Sequence, residues 1–208
     1  MGLILSLSGI IGASDQDVQD GLRQYAAAHG GSFRLKAGTA RDNQILVLDS
    51  LHDNVSVVYP GDFFEWDDAS MWLSERLSRP AFSFHIHDED LWMFVLFRAG
   101  EVITQFNPIP DYWFEDLTEE EIRNWHGDAA AIAACVPGLK AEKIARYLKR
   151  WDFDSDQGVK AYPDDQFPFL DCWQLNDFMK RIPLSCPVDA DGNTFGTTCE
   201  FIVPEKNH

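Results

Sequence analysis

The first quarter of the chain combines short apolar runs with one amphipathic stretch. Runs of strand length occupy residues 3–11, 32–36 and 44–49. Between the first two runs, Ser14 and Asp17 have the spacing of a helix N-cap pair, and two glycines follow His29, where a helix would end. The pattern therefore predicts a strand, a helix and two further strands over residues 3–49.

The same order of elements recurs in the next stretch. An apolar run at residues 55–59 precedes a helical pattern, which we expect Asp67 or Asp68 to cap and Pro80 to close. Further strand patterns follow at residues 81–87, 91–97 and 101–106. Strand–helix–strand–strand thus appears twice, in residues 3–49 and 55–106, which suggests an internal structural duplication.

Two of these strands carry the clearest patterns. In residues 81–87, Phe82, Phe84 and Ile86 alternate with Ser83, His85 and His87, so the two sets face opposite sides of the strand. Residues 91–97 are apolar at every position, which predicts a central strand buried on both faces.

Beyond residue 110 the pattern becomes helical. Thr118 and Glu121 have the spacing of a capping box, and the apolar stripe behind them predicts one helix that continues to Val136. Further helices are predicted at residues 141–151 and 169–181, and a hairpin around residues 189–193.

These elements predict one α+β domain spanning residues 1–208. Its sheet, mostly antiparallel, would occupy residues 1–110, and the helical section of residues 117–182 would pack on that sheet. Residues 185–208 would form a C-terminal hairpin or tail.

The charge of the chain narrows the choice of partner. The 208 residues include 34 acidic and 17 basic side chains, for a formal net charge of -17. Such a field repels phosphate backbones, so we expect no nucleic-acid binding, and a basic protein is the better electrostatic match. The same charge would also serve solubility alone.

The N-terminal run and the cysteines suggest a cytoplasmic protein. The apolar N-terminal run lacks a basic region and is too short to span a bilayer, so we expect no membrane association. The four cysteines contain no CxxC pair, which favours free thiols in a reducing compartment.

Two segments at strand-to-helix junctions, residues 62–68 and 111–116, mix bulky aromatic residues with carboxylates. Aromatic rings supply contact area and carboxylates attract a cationic partner, as in many recognition surfaces. Alternatively, the rings turn inward and the acids stabilise the helix N-termini. The candidate partner-binding residues are Asp62, Glu65, Trp66, Asp67, Asp111, Trp113 and Glu115.

A candidate metal site lies on the strand of residues 81–87. His85 and His87 are two residues apart, so both imidazoles point to one side, and Asp90 could add an oxygen ligand from the following turn. The alternative is a pair of half-buried histidines that hydrogen-bond to neighbouring carboxylates.

A basic block stands out in this acidic chain. Its members are Lys140, Lys143, Arg146, Lys149 and Arg150. They could hold an anionic ligand, compensate nearby acids within the molecule, or form an ordinary solvated face.

The sequence contains no GxSxG, HExxH, GxGxxG or P-loop motif. With the acidity and the abundant tryptophan, this favours a non-enzymatic, intracellular protein-binding module of the immunity or antitoxin kind, without a cofactor, that neutralises a basic partner. The alternative is a hydrolase in which a divalent transition metal such as zinc, held by the His-x-His pair, activates water.

Overall fold

The computed structural model describes residues 2–35, 42–113 and 116–204. Within these ranges, eight strands form one sheet and five segments are α-helical. The strands are β1 (Leu5–Ile11), β2 (Ser32–Leu35), β3 (Ile45–Leu51), β4 (Asn54–Val58), β5 (Pro80–His87), β6 (Leu91–Arg98), β7 (Glu101–Phe106) and β8 (Thr197–Ile202). The helices are α1 (Asp15–Ala28), α2 (Trp66–Leu77), α3 (Glu119–Arg123), α4 (Ala129–Cys135) and α5 (Gln174–Arg181).

The sheet is antiparallel throughout its described pairings, with the strand order β2-β8-β3-β4-β1-β5-β6-β7. Strands β1 and β4 lie at its centre. The predicted α+β fold with a mostly antiparallel sheet is confirmed.

The order strand–helix–strand–strand occurs twice, but the strand pairing does not repeat. Strands β5 and β6 form a hairpin, whereas β8 lies between β2 and β3 and pairs with both. Strand β8 comes from the C-terminal segment, where the sequence predicted a hairpin or tail. The hairpin contact is limited to a bridge between Val188 and Thr194, and the residues after it complete the sheet.

The central placement predicted for residues 91–97 is wrong. Strand β6 lies between β5 and the edge strand β7. Its residues Trp92, Phe94 and Leu96 are fully buried, but Met93 and Val95 on the opposite face are only half-buried. An apolar run therefore indicated an interior strand correctly without fixing its place in the sheet.

Two hydrophobic cores lie on the two faces of the sheet. On one face, α1 and α2 pack on the strands through side chains such as Leu22 and Leu73. On the other face, the helical section contributes Tyr147 and Phe178 to a core that includes Phe94. The sheet thus separates a regular helical layer from a less regular one.

The N-cap predicted from the sequence is present in α1 but not in α2. The predicted capping box of α1 is present, because Ser14 Oγ accepts from Asp17 N and Asp17 in turn bonds the backbone of Ser14. The caps predicted for α2 are wrong, since Asp67 and Asp68 lie inside its first turn and Glu65 occupies the N-cap position without a side-chain cap bond. Acidic residues suit that first turn because the helix dipole is positive there.

The single helix predicted from Thr118 to Val136 is divided into α3 and α4. The capping box of Thr118 and Glu121 is present, but Gly127 takes a φ of 69° and its N–H donates to Gln105 O at 2.8 Å. Asp128 then caps α4. The chain leaves the helix because its backbone bonds to the edge of β7 instead.

The next two helices are also shorter than predicted. Residues 141–151 contain only a 3₁₀ turn at Ala141–Lys143, and Trp151 N donates to Pro108 O rather than within a helix. Helix α5 starts at Gln174, not at residue 169, because Leu170 has a φ of 67°. None of the helices in the described ranges has the length and apolar character needed to cross a membrane.

Candidate functional site

Four rings on the α2 side of the sheet form a continuous row. Trp66 stacks on His85 with a centroid distance of 4.4 Å and an interplanar angle of 3°. His85 and His87 follow at 5.7 Å, and Trp113 meets His87 edge-to-face at 4.9 Å. We call Trp66, His85, His87 and Trp113 the aromatic–histidine row. It links the two acidic, aromatic junctions through the histidine pair of β5.

The alternation of β5 places its polar residues under α2. Ser83, His85 and His87 share one face, as the sequence predicted, while Phe82, Phe84 and Ile86 enter the core on the other. Pairing with β1 sets Ser6 opposite His85 and Ser8 opposite Ser83. A strip of polar side chains therefore crosses the sheet beneath the first turns of α2.

Hydrogen bonds satisfy much of this strip internally. Ser6 Oγ lies 3.0 Å from His85 Nδ1. Ser8 Oγ lies 2.7 Å from Tyr59 OH and 2.6 Å from Ser70 Oγ, which donates to the Trp66 carbonyl oxygen at 2.8 Å. These bonds join α2 to β1 in a buried environment, where an unpaired hydroxyl is costly.

Ser6 and Ser8 are not among the predicted site residues, although the sequence contains a signal for them. Both serines interrupt the otherwise apolar β1, and both are buried. Polar residues that alternate within a buried strand require partners, which indicates a polar layer on that face.

The two ionisable groups at the base of the row respond differently to burial. His85 is 4% exposed, and burial together with the nearby His87 lowers its pKa to about 4, so the ring is neutral at pH 7. Asp67 is exposed as a residue, yet desolvation of its carboxyl group raises the pKa. The hydrogen bond from Ser83 Oγ at 2.5 Å opposes that shift, and the charge of Asp68 adds to it.

The far end of the row is open to solvent. Trp113 is 42% exposed and Tyr112 is 38% exposed, and their rings meet edge-to-face at 5.0 Å. The Tyr112 hydroxyl donates to the carboxylate of Asp90, and Asp88 is exposed in the same turn. We call Tyr112, Trp113, Asp88 and Asp90 the exposed end of the row.

Some predicted partner-binding residues point elsewhere. Asp111 accepts a hydrogen bond from Arg150 Nη2 at 2.6 Å and so faces the helical section. Asp62 accepts from Asn43 Nδ2 at 2.7 Å and, with Glu65, lines a separate cavity of about 100 Å³. Glu115 lies outside the described residues. Of the seven candidates, Trp66, Asp67 and Trp113 therefore converge on the row.

The contacts of His85 and Asp90 bear on the predicted metal site. Its Nδ1 atom is engaged by Ser6, one face of its ring is covered by Trp66, and Asp90 receives the Tyr112 hydroxyl. Over the described ranges, no group of three His, Cys, Asp or Glu side chains is arranged to hold a metal ion. A site of His85, His87 and Asp90 stays a prediction.

In comparisons with known proteins, the chain matches no family model, no curated protein and no solved structure.

Proposed function

We propose that this chain is a non-enzymatic protein-binding module that neutralises a basic partner, in the manner of an immunity protein or antitoxin. One observation carries the proposal: Trp113 and Tyr112 are exposed together, the Tyr112 hydroxyl donates to the carboxylate of Asp90, and the charge of Asp88 acts on the same hydroxyl. Large rings next to acids form a surface suited to lysine and arginine side chains.

The packing of the row supports a prepared binding surface. His87 contacts both exposed rings, at 5.7 Å from Tyr112 and 4.9 Å from Trp113. Rings that are held by their neighbours lose little conformational entropy on binding, so more of the contact energy contributes to affinity.

Charge supports the choice of partner. A net charge of -17 attracts basic proteins over long range and accelerates their association at low salt. The four cysteines are free thiols, and we place the interaction in the cytoplasm, where thiols stay reduced.

The test is capture of a basic protein from the native host, followed by affinity measurements with purified partner. We expect Trp113→Ala to weaken binding by roughly 2 kcal/mol or more, as at an interface hot spot. Phe153→Ala is the matched control, because Phe153 is also an exposed ring, at 59%, in a loop of the helical section.

Two results would contradict the proposal. One is recovery of the chain without any partner over a range of salt concentrations. The other is a captured partner whose affinity falls equally in the Trp113 and Phe153 variants.

A further inference from the structure

An open cleft in the helical section carries the opposite charge from the rest of the molecule. It lies between residues 137–143 and the C-terminal end of α5 and has a volume of about 520 Å³. Four cationic side chains line it, namely Lys140, Lys143, Lys180 and Arg181. This arrangement is unexpected in a chain with twice as many acidic as basic residues.

Other members of the basic block have partners inside the molecule. Lys149 Nζ lies 2.7 Å from Asp156 Oδ1, and Arg150 pairs with Asp111. The guanidinium of Arg146 lies over the Tyr162 ring, 5.3 Å from its centroid. The ion pairs of Lys149 and Arg150 fit one of the alternatives given for the basic block, namely that its members compensate nearby acids within the molecule.

Lys140 and Lys143 differ from these residues. Among the residues that the structure describes, no carboxylate oxygen lies within 4.0 Å of either ammonium group. Lys143 does help to lower the pKa of Asp164, but the first cause of that shift is the hydrogen bond from Arg181, at 2.6 Å. Both lysines are exposed and available to a ligand.

Lys180 and Arg181 also line the cleft, but carboxylates partly neutralise their charge. Arg181 binds Asp164 and Asp165, and Lys180 Nζ lies 3.5 Å from Asp177 Oδ1. Asp177 also accepts two backbone N–H groups through Oδ2, so its charge is shared. The uncompensated charge of the cleft therefore resides mainly on Lys140 and Lys143.

We propose that this cleft binds a small organic polyanion, whose phosphate or carboxylate groups contact Lys140 and Lys143. Like charges that line one cleft repel each other, and a polyanion relieves that repulsion. Pro137, Leu139 and Pro183 complete the lining and offer an apolar surface to the body of the ligand. The volume falls within the range of small-molecule sites.

The test is calorimetric titration of the full chain with inorganic pyrophosphate and, separately, with citrate. We expect saturable binding of at least one anion, and the preferred anion distinguishes phosphate from carboxylate recognition. Lys140→Gln combined with Lys143→Gln should weaken binding about tenfold or more, because two charge-assisted hydrogen bonds are lost. The corresponding Lys→Arg pair should retain binding.

Arg98→Gln is the control for a loss of positive charge elsewhere on the molecule, because it removes one exposed cation at the end of β6, away from the cleft lining. The proposal is overturned if neither anion binds saturably. It is also overturned if the paired Lys→Gln variant binds as tightly as the original chain, or if Arg98→Gln weakens binding equally. Thermal melting of each variant should match that of the original chain, since the substituted side chains are exposed.

Discussion

The base of the aromatic–histidine row and the helical section bury polar groups in contrasting ways. Under α2, the buried groups are serine hydroxyls, a tyrosine and the neutral His85, and the bonds between them are uncharged. In the helical section, Asp165 is buried beside Arg181, and Asp165 Oδ1 lies 2.9 Å from Arg181 Nη2 and 2.6 Å from Tyr147 OH. Apart from Asp67 at its margin, the region under α2 buries uncharged polar groups, whereas the helical section buries a charged pair.

The difference follows from the regularity of the backbone. Under α2, helix and sheet hydrogen bonds already satisfy the main chain, so the side chains need only neutral partners. In the helical section the chain runs through turns, and the carboxylate of Asp165 also accepts the backbone N–H of Tyr162 at 2.8 Å. A buried carboxylate can accept hydrogen bonds from the backbone N–H groups of a segment that forms no helix or sheet hydrogen bonds.

The largest loss of stability should come from removing the buried carboxylate of Asp165 in the helical section. We expect Asp165→Ala to lower the free energy of unfolding by about 3–5 kcal/mol, because it leaves Arg181 and the Tyr147 hydroxyl without their buried acceptor. Urea denaturation measures the loss. Asp164→Ala is the control, since Asp164 contacts the same arginine with a side chain that is 72% exposed, and it should cost less than about 1 kcal/mol. Similar losses of unfolding free energy in the two variants would contradict a special role for the buried carboxylate of Asp165.

Acid should destabilise the region under α2 through protonation of His85. The folded pKa of His85, about 4, lies below its ordinary value of 6.5, so the unfolded state binds the proton more tightly. The stability that neutral His85 provides is present above pH 6.5 and is lost as the pH falls towards 4. At about 1.4 kcal/mol per pKa unit, the loss reaches about 3 kcal/mol.

His85→Gln provides the comparison for that prediction, because glutamine does not titrate. Its unfolding free energy should change less between pH 7 and about pH 4.5 than that of the original chain. Asp67 acts with the opposite sign, since its raised pKa favours the folded state in acid. An equally steep pH dependence in the variant would place the titrating group elsewhere.

The smallest effects concern the two ends of the row. Trp66→Ala should cost about 2 kcal/mol of stability, because it removes a half-buried ring and its stack on His85. Trp113→Ala should cost less than about 1 kcal/mol, since Trp113 is an exposed residue. Thermal melting ranks the two variants, and a reversed ranking would contradict the assignment of the buried and exposed ends.

Local sequence patterns correctly predicted where the strands of the first half of the chain lie. Alternation in β5 assigned Ser83, His85 and His87 to one face, and capping boxes located the starts of α1 and α3. The pattern could not show that Asp111 turns to Arg150 in the helical section. When the partner of a side chain is distant in the sequence, the residues that flank the side chain do not indicate which partner it has.

What the sequence alone determined is the α+β class, the faces of the strands and the presence of two acidic, aromatic junctions. The tertiary structure decided that β8 enters the sheet between β2 and β3, and that Gly127 bonds to β7 instead of continuing a helix. It also decided that Trp66 and Trp113 meet the same pair of histidines. Helix caps and strand alternation depend on neighbours a few residues away, whereas these contacts join residues far apart in the chain, and their energy exists only once the sheet has formed.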